Sequence, residues 1–126
     1  MSTISIQDFQ KLDIRVGTVI KAEVPEWSHW VMKMKVDLGT EIGERVVFAG
    51  IMHFYKPEDL EGKQFPFITN LEKKKIGPEG DFSEGMMLMA VEISDKAFVV
   101  VEGEEVFEKP VLFQLPKKVP NGTKVM

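Results

Sequence analysis

Residues Asn70 to Ala90, NLEKKKIGPEGDFSEGMMLMA, bring together the side chains of this chain best suited to act on another molecule. Lys73, Lys74 and Lys75 follow Asn70 and precede a turn built on Gly77, Pro78 and Gly80; Ser83 and Met86 then lead into an apolar run. Ammonium groups neutralise phosphates, a hydroxyl hydrogen-bonds to a base or sugar, and a thioether of this size packs on an unstacked base. In an extended segment alternate lysines point to opposite sides, so two of the three can serve one groove. Each signal alone also fits a solvated turn followed by a core strand, since methionine fills irregular interiors well.

The rest of the chain narrows the chemistry. Its 126 residues carry a formal net charge of −4, so an affinity for nucleic acid has to come from a local patch and not from bulk charge. There is no cysteine, which excludes disulfides, thiol nucleophiles and cysteine-held zinc. His29 and His53 are the only histidines and stand in no ligand-spaced pattern. Glu41, Glu44, Glu58, Asp59 and Glu61 cluster in turns, where solvation accounts for them. Nucleophile elbows, Walker loops and dinucleotide fingerprints are absent, so a non-catalytic protein without metal or cofactor is expected. The N-terminus lacks a basic stretch followed by an apolar one, and no run reaches membrane-spanning length. A cytoplasmic protein without a membrane partner is the expectation.

The elements that must hold the lysine segment read as mostly β. A short helix is expected over Ile6 to Leu12, with Ile6, Phe9 and Leu12 on one side. From Ile14 the period becomes two: Ile14, Val16, Thr18, Ile20, Ala22 and Val24 alternate with Arg15, Gly17, Lys21 and Glu23, and Gly17 marks a bend or a close approach. Pro25 ends that strand. A second strand, Met32 to Leu38, turns through GTEIG into a third at Arg45 to Ala49. Tyr55 to Leu60 reads as a single helical turn stopped at Gly62. Phe65 to Leu71 is the fourth strand, at an edge or bulge because of Pro66. Met86 to Ile93 is the fifth, with Lys96 to Val101 as its hairpin partner; Val111 to Leu115 and a tail from Pro116 follow. Five short strands with one helical turn between the third and fourth indicate an OB-fold, a five-stranded Greek-key barrel whose closure removes exposed edges. One domain over residues 1–126 is expected, with a barrel at about 12–101 and a C-terminal extension at about 102–126.

Five segments occur in the order of a known family: LDIRVG, KMKVDLG, YKPEDLEGK, NLEKKKIG and SEGMMLMA, spanning Leu12 to Ala90. Together they resemble the tRNA-binding domains found at the C-terminus of methionyl-tRNA synthetases and as free-standing proteins. The resemblance implies an OB barrel that binds tRNA by shape and without catalysis. It implies that Asn70 and Ser83 hydrogen-bond to base or sugar, that Lys75 meets phosphate and that Met86 packs on a base. Lys73 and Lys74 reinforce the charge by proximity. It also implies a homodimer, with Val111 to Met126 contributing to a two-fold interface, or an accessory of an aminoacyl-tRNA synthetase.

Departures from the family's pattern are local. Glu72 stands where a lysine is usual and Lys73 where a proline is usual, and the path from Lys75 to Ser83 is about two residues longer than the common form. The segment PEWSHWVMKMKV, Pro25 to Val36, is closer to CsaA, an export-associated chaperone with the same barrel that binds unfolded peptide. A CsaA-like, peptide-binding role is therefore the alternative. Trp27 and Trp30 fit core or dimer packing, or contact with an RNA base or a peptide.

Overall fold

A computed structural model describes residues 1–126. In chain order its elements are α1 (Ile6–Phe9), β1 (Ile14–Glu23), β2 (Met32–Asp37), β3 (Glu44–Ala49), α2 (Pro57–Leu60), β4 (Gln64–Ile68), β5 (Lys74–Ile76), β6 (Asp81–Ser83) and β7 (Met86–Met87). They continue as β8 (Met89–Ile93), β9 (Val99–Val101), β10 (Glu104–Val106) and β11 (Glu108–Leu112). Five strands in the order β3-β2-β1-β4-β7, all antiparallel, curl into a nearly closed barrel of the OB type.

The barrel interior is apolar. Met32, Met34, Val36 and Leu38 from β2 and its end meet Val47 and Ala49 of β3 and Phe65 and Phe67 of β4. Leu60 of α2 plugs one end; its helix opens with Lys56 N–H donating to Asp59 Oδ2 at 2.8 Å. Gly17 lies so close beneath Val36 and Leu38 that a β-carbon would collide with both.

Strand β1 departs from strict alternation. Val19 pairs with Val36, but the next pair is Lys21 with Lys35, so Ile20 is an extra residue. This bulge lets both Val19 and Ala22 enter the core while Ile20 is 44% exposed. Ile14 and Val16 are buried but lie outside the core cluster, and the C-terminal tail runs antiparallel alongside them. Val16 N–H donates to Thr123 O at 2.8 Å, and Val125 N–H donates to Ile14 O at 2.9 Å. With both faces covered, hydrophobic alternation does not reveal the phase.

Pro66 sits inside the sheet, between β1 and β7, and not at an edge. It faces Val16, whose N–H and C=O are turned away to the tail, so β1 never needs a donor from Pro66. Gln64 fastens the same tail: its Nε2 donates to Val119 O at 2.7 Å and its Oε1 accepts from Val119 N–H at 2.9 Å.

The expected fifth strand is two strands broken at Leu88, whose N–H reaches Pro66 O at 3.1 Å. Its partner also differs from the expected one. β8 pairs with β11, while β9 turns back onto β10 through Glu102 and Gly103, both at positive φ. A two-residue turn of that kind matches the twist of flanking strands and closes Val101 onto Glu104 before β9 can reach β8. The β8–β11 ribbon leaves the barrel with Met89 and Leu112 packed on the core. Beyond them Val91 and Ile93, 52% and 78% exposed, continue the same strand face into solvent.

Candidate nucleic-acid interface

The lysine segment is a β-hairpin and not an irregular loop. Lys74 pairs with Ser83, Lys75 with Phe82 and Ile76 with Asp81, around the turn Gly77-Pro78-Glu79-Gly80. An isolated two-stranded ribbon is marginal in water, so this one needs outside support. It has three anchors. Lys33 Nζ lies 3.3 Å from Asp81 Oδ2, and Ser83 Oγ accepts the Phe48 N–H at 3.1 Å. The third is Gly77, which lies flat on the indole of Trp27. Its φ of +74 suits glycine, and any β-carbon would strike the ring. Trp27 is half-buried and in turn meets Phe48, with ring centroids 6.2 Å apart.

Ser83 and Glu84 close the barrel seam. Glu84 N–H donates to Val46 O at 2.8 Å, after which side chains take over from backbone. Ser83 Oγ and Glu84 Oε1 accept the N–H groups of Phe48 and Val46, the latter at 3.3 Å. Ser83, 9% exposed, also donates to Gly85 O at 3.2 Å, so its hydroxyl is committed within the fold.

On one side of the seam is a polar cleft lined by Arg45, Thr69, Asn70, Leu71, Glu72, Lys73 and Glu84. Arg45 donates to Thr69 O and, at 3.4 Å, to Glu84 O, which holds its guanidinium at the cleft wall. Asn70 is exposed, yet its amide ties the cleft to the N-terminal turn: Oδ1 accepts Asp13 N–H at 2.8 Å and Nδ2 donates to Lys11 O at 2.7 Å. One amide N–H and one oxygen lone pair remain for a ligand. Asp13 is itself held by Arg15, Nε to Oδ1 at 2.6 Å. The hydrogen bond from Arg15 holds the Asp13 carboxyl below its ordinary range, and the same contact, with Glu41 second, raises Arg15. Arg15 is thus spent on structure.

On the other side is an apolar groove lined by Phe48, Ala49, Gly50 and Met86 to Met89. Met86 is 45% exposed at its mouth, opposite Ile68. Trp30 lies on Gly50 and against His53, ring centroids 5.5 Å apart, and is 43% exposed. The expected residues therefore gather along one seam, but in separate settings: Lys73 and Asn70 in the cleft, Lys74 and Lys75 on the hairpin, Met86 on the groove. None of the three lysines belongs to an ion pair, whereas Lys33 and Lys35 are paired with Asp81 and Glu44.

Sequence reading missed Arg45 and Phe82. Arg45 was visible only as one polar residue in an alternating strand. Phe82 was signalled by KKI and DFS flanking a Gly-Pro-x-Gly turn, a hairpin pattern that places it opposite Lys75.

A barrel of the OB type here presents an anchored basic ribbon beside a half-apolar seam. The family described as "Putative tRNA binding domain" matches residues 14–124, and the chain belongs to it. The chain is 37% identical over 122 residues to a methionine–tRNA ligase of Clostridium tetani, covering 97% of this chain and 16% of the ligase. Among solved structures it is similar to a MetRS-related protein from Pyrococcus horikoshii, with TM-score 0.78, 33% identity and all of both chains covered. It is similar as well to the chaperone CsaA of Bacillus anthracis, with TM-score 0.74, 32% identity, 99% of this chain and 100% of that one.

Proposed function

We propose that this chain binds tRNA without catalysing a reaction on it, recognising shape and backbone through the β5–β6 hairpin and the adjoining cleft. The observation that carries this is the hairpin: two unpaired, exposed lysines, Lys74 and Lys75, on a ribbon held in place before any ligand arrives, with Lys73 exposed in the cleft beside it. Pre-organisation spares the ordering entropy that a mobile lysine loop would lose on binding. Lys74 and Lys75 meet phosphates, Lys73 and Asn70 act from the cleft, and Met86 packs on a base. Ser83 holds the seam from which Met86 emerges, and Arg45 adds a fixed positive charge to the cleft wall.

The working unit in this reading is a homodimer in the cytoplasm. Ile6, Phe9 and Leu12 line a groove with Val125, and Val125 also lines a second groove with Leu112, Phe113 and Leu115. Such continuous apolar surface marks an interface in a soluble protein. Two-fold pairing sets two basic hairpins on one tRNA and raises affinity by effective concentration alone. The module serves either on its own or as the accessory of a synthetase; the chain spans 16% of the length of the ligase it matches.

A second reading, peptide binding of the CsaA kind, is favoured by the apolar groove from Phe48 to Met89 with Trp30 at its side. A mobility shift with bulk tRNA, alongside protection of an unfolded client, separates the two. The tRNA reading expects a shift that Lys74→Glu plus Lys75→Glu removes. Client protection that Trp30→Ala removes, without any tRNA shift, supports the chaperone reading.

A further inference from the structure

The hairpin carries an aromatic side chain that the charges do not explain. Side chains alternate along β6, and the two that flank Phe82 are both turned to the body of the protein: Asp81 to Lys33 and Ser83 to Phe48. Phe82 therefore points outward, on the face it shares with its cross-strand partner Lys75, and is 47% exposed. Exposing half of a phenyl ring on a three-residue strand gains nothing for folding, since the strand's anchoring runs through its other face.

The other aromatics nearby are occupied. Trp27 is covered by Gly77 and meets Phe48, and Trp30 lies on Gly50 against His53. Phe82 belongs to no aromatic pair, and about half of it stands open to solvent. Its ribbon is fixed in position by the Trp27 contact and the Lys33–Asp81 pair, so the ring is also pre-oriented.

We infer that Phe82 is a stacking platform for one unpaired RNA base, while Lys75 beside it takes the phosphate of the same or the next nucleotide. This rests on the tRNA-binding reading and deepens it. A flat ring beside an ammonium group is the pairing that single-stranded nucleic acid requires, because every base has a π-face and every linkage a charge. A peptide has no reason to place an anion and a planar ring at that spacing at every residue.

The test compares Phe82→Leu and Phe82→Trp with the unaltered full-length chain, using bulk tRNA and a blunt, fully paired RNA duplex as probes. Leucine keeps the apolar area and removes the ring; tryptophan keeps a ring. Thermal melting of both variants checks that the fold is unchanged. The expected result is about ten-fold weaker tRNA binding for Phe82→Leu, with tRNA affinity retained by Phe82→Trp. The salt dependence should not change, because no charge is removed, and duplex binding should not change, because it offers no unstacked base.

If Phe82→Leu binds tRNA as the parent does while Lys74→Glu plus Lys75→Glu abolishes binding, the platform is refuted and the tRNA reading stands. If the parent chain does not bind tRNA at low salt, the reading falls and takes the platform with it. If Phe82→Leu loses an unfolded-peptide client and keeps tRNA, the ring serves peptide and the inference is overturned.

Discussion

Two ribbons project from the same barrel, and their surfaces differ in kind. The β5–β6 hairpin exposes Lys74, Lys75 and Phe82 and is tied down by Trp27, Asp81 and Ser83. The β8–β11 ribbon starts in the core at Met89 and Leu112, takes one tether from the Tyr55 hydroxyl donating to Pro110 O at 2.9 Å, and then exposes Val91 and Ile93. A ribbon whose outer face is cationic is complementary to a polyanion. One whose core face runs on into water, apolar as it goes, is complementary to another apolar protein surface. Position in the fold alone does not assign a role to either; the chemistry of the exposed face does.

The contrast is broken most strongly on the basic ribbon. Lys74→Glu plus Lys75→Glu should weaken tRNA binding by about a hundred-fold at physiological salt, since two phosphate contacts become two repulsions. Melting and oligomeric state should stay as in the parent, because neither lysine holds an ion pair. On the apolar ribbon the converse is expected. Ile93→Glu should convert a dimer to a monomer by analytical ultracentrifugation, since a buried unpaired carboxylate costs several kcal/mol (~3–5). Its tRNA affinity should fall only by the lost avidity. Loss of the dimer from the lysine change, or of charge-dependent binding from Ile93→Glu, would merge the two roles.

Smaller effects sharpen the picture at the seam. Ser83→Ala should cost about 1–3 kcal/mol in denaturant unfolding, because it leaves the buried Phe48 N–H without its acceptor. Its effect on tRNA should be small beside that of the lysines. Asp13 sets a pH dependence. Its carboxyl is held below the ordinary range by Arg15, so the folded state binds its proton less readily than the unfolded chain. That contribution is complete above about pH 4 and is lost as pH falls through the lowered folded-state value. Asp13→Asn should therefore flatten the acid limb of a stability-against-pH curve, and an unchanged limb would remove Asp13 from the account.

How much of this was legible in the sequence depended on whether the deciding contacts were local. Met32–Asp37 and Pro57–Leu60 were visible because alternation, a proline start and acidic first-turn residues encode them within a few positions. The phase of β1 was hidden: a bulge at Ile20 shifts its register, Ile14 to Gly17 are buried on both faces, and the tail that pairs with them, at Thr123 and Val125, lies more than a hundred residues away. The β8–β11 pairing was hidden by the Glu102–Gly103 turn, which captured β9 first. At the site, the lysines, Met86 and Asn70 were legible as residue types. That Ser83 serves Phe48, and that Trp27 lies beneath Gly77, depended on neighbours 35 or more positions away in sequence. Two of the departures from the family's common pattern, the tryptophan segment and the lengthened lysine path, touch each other where Gly77 meets Trp27.

The central claim is that the β5–β6 lysines neutralise RNA phosphates, and the salt dependence of tRNA affinity tests it most directly. For about three lysine–phosphate contacts, Lys73 included, the parent should bind about twenty- to forty-fold more weakly at 200 mM than at 50 mM salt, and the slope of log affinity on log salt should become shallower by about 1.4–1.8 in Lys74→Glu plus Lys75→Glu. A slope that is near zero in the parent, or that survives the double change intact, would contradict the account.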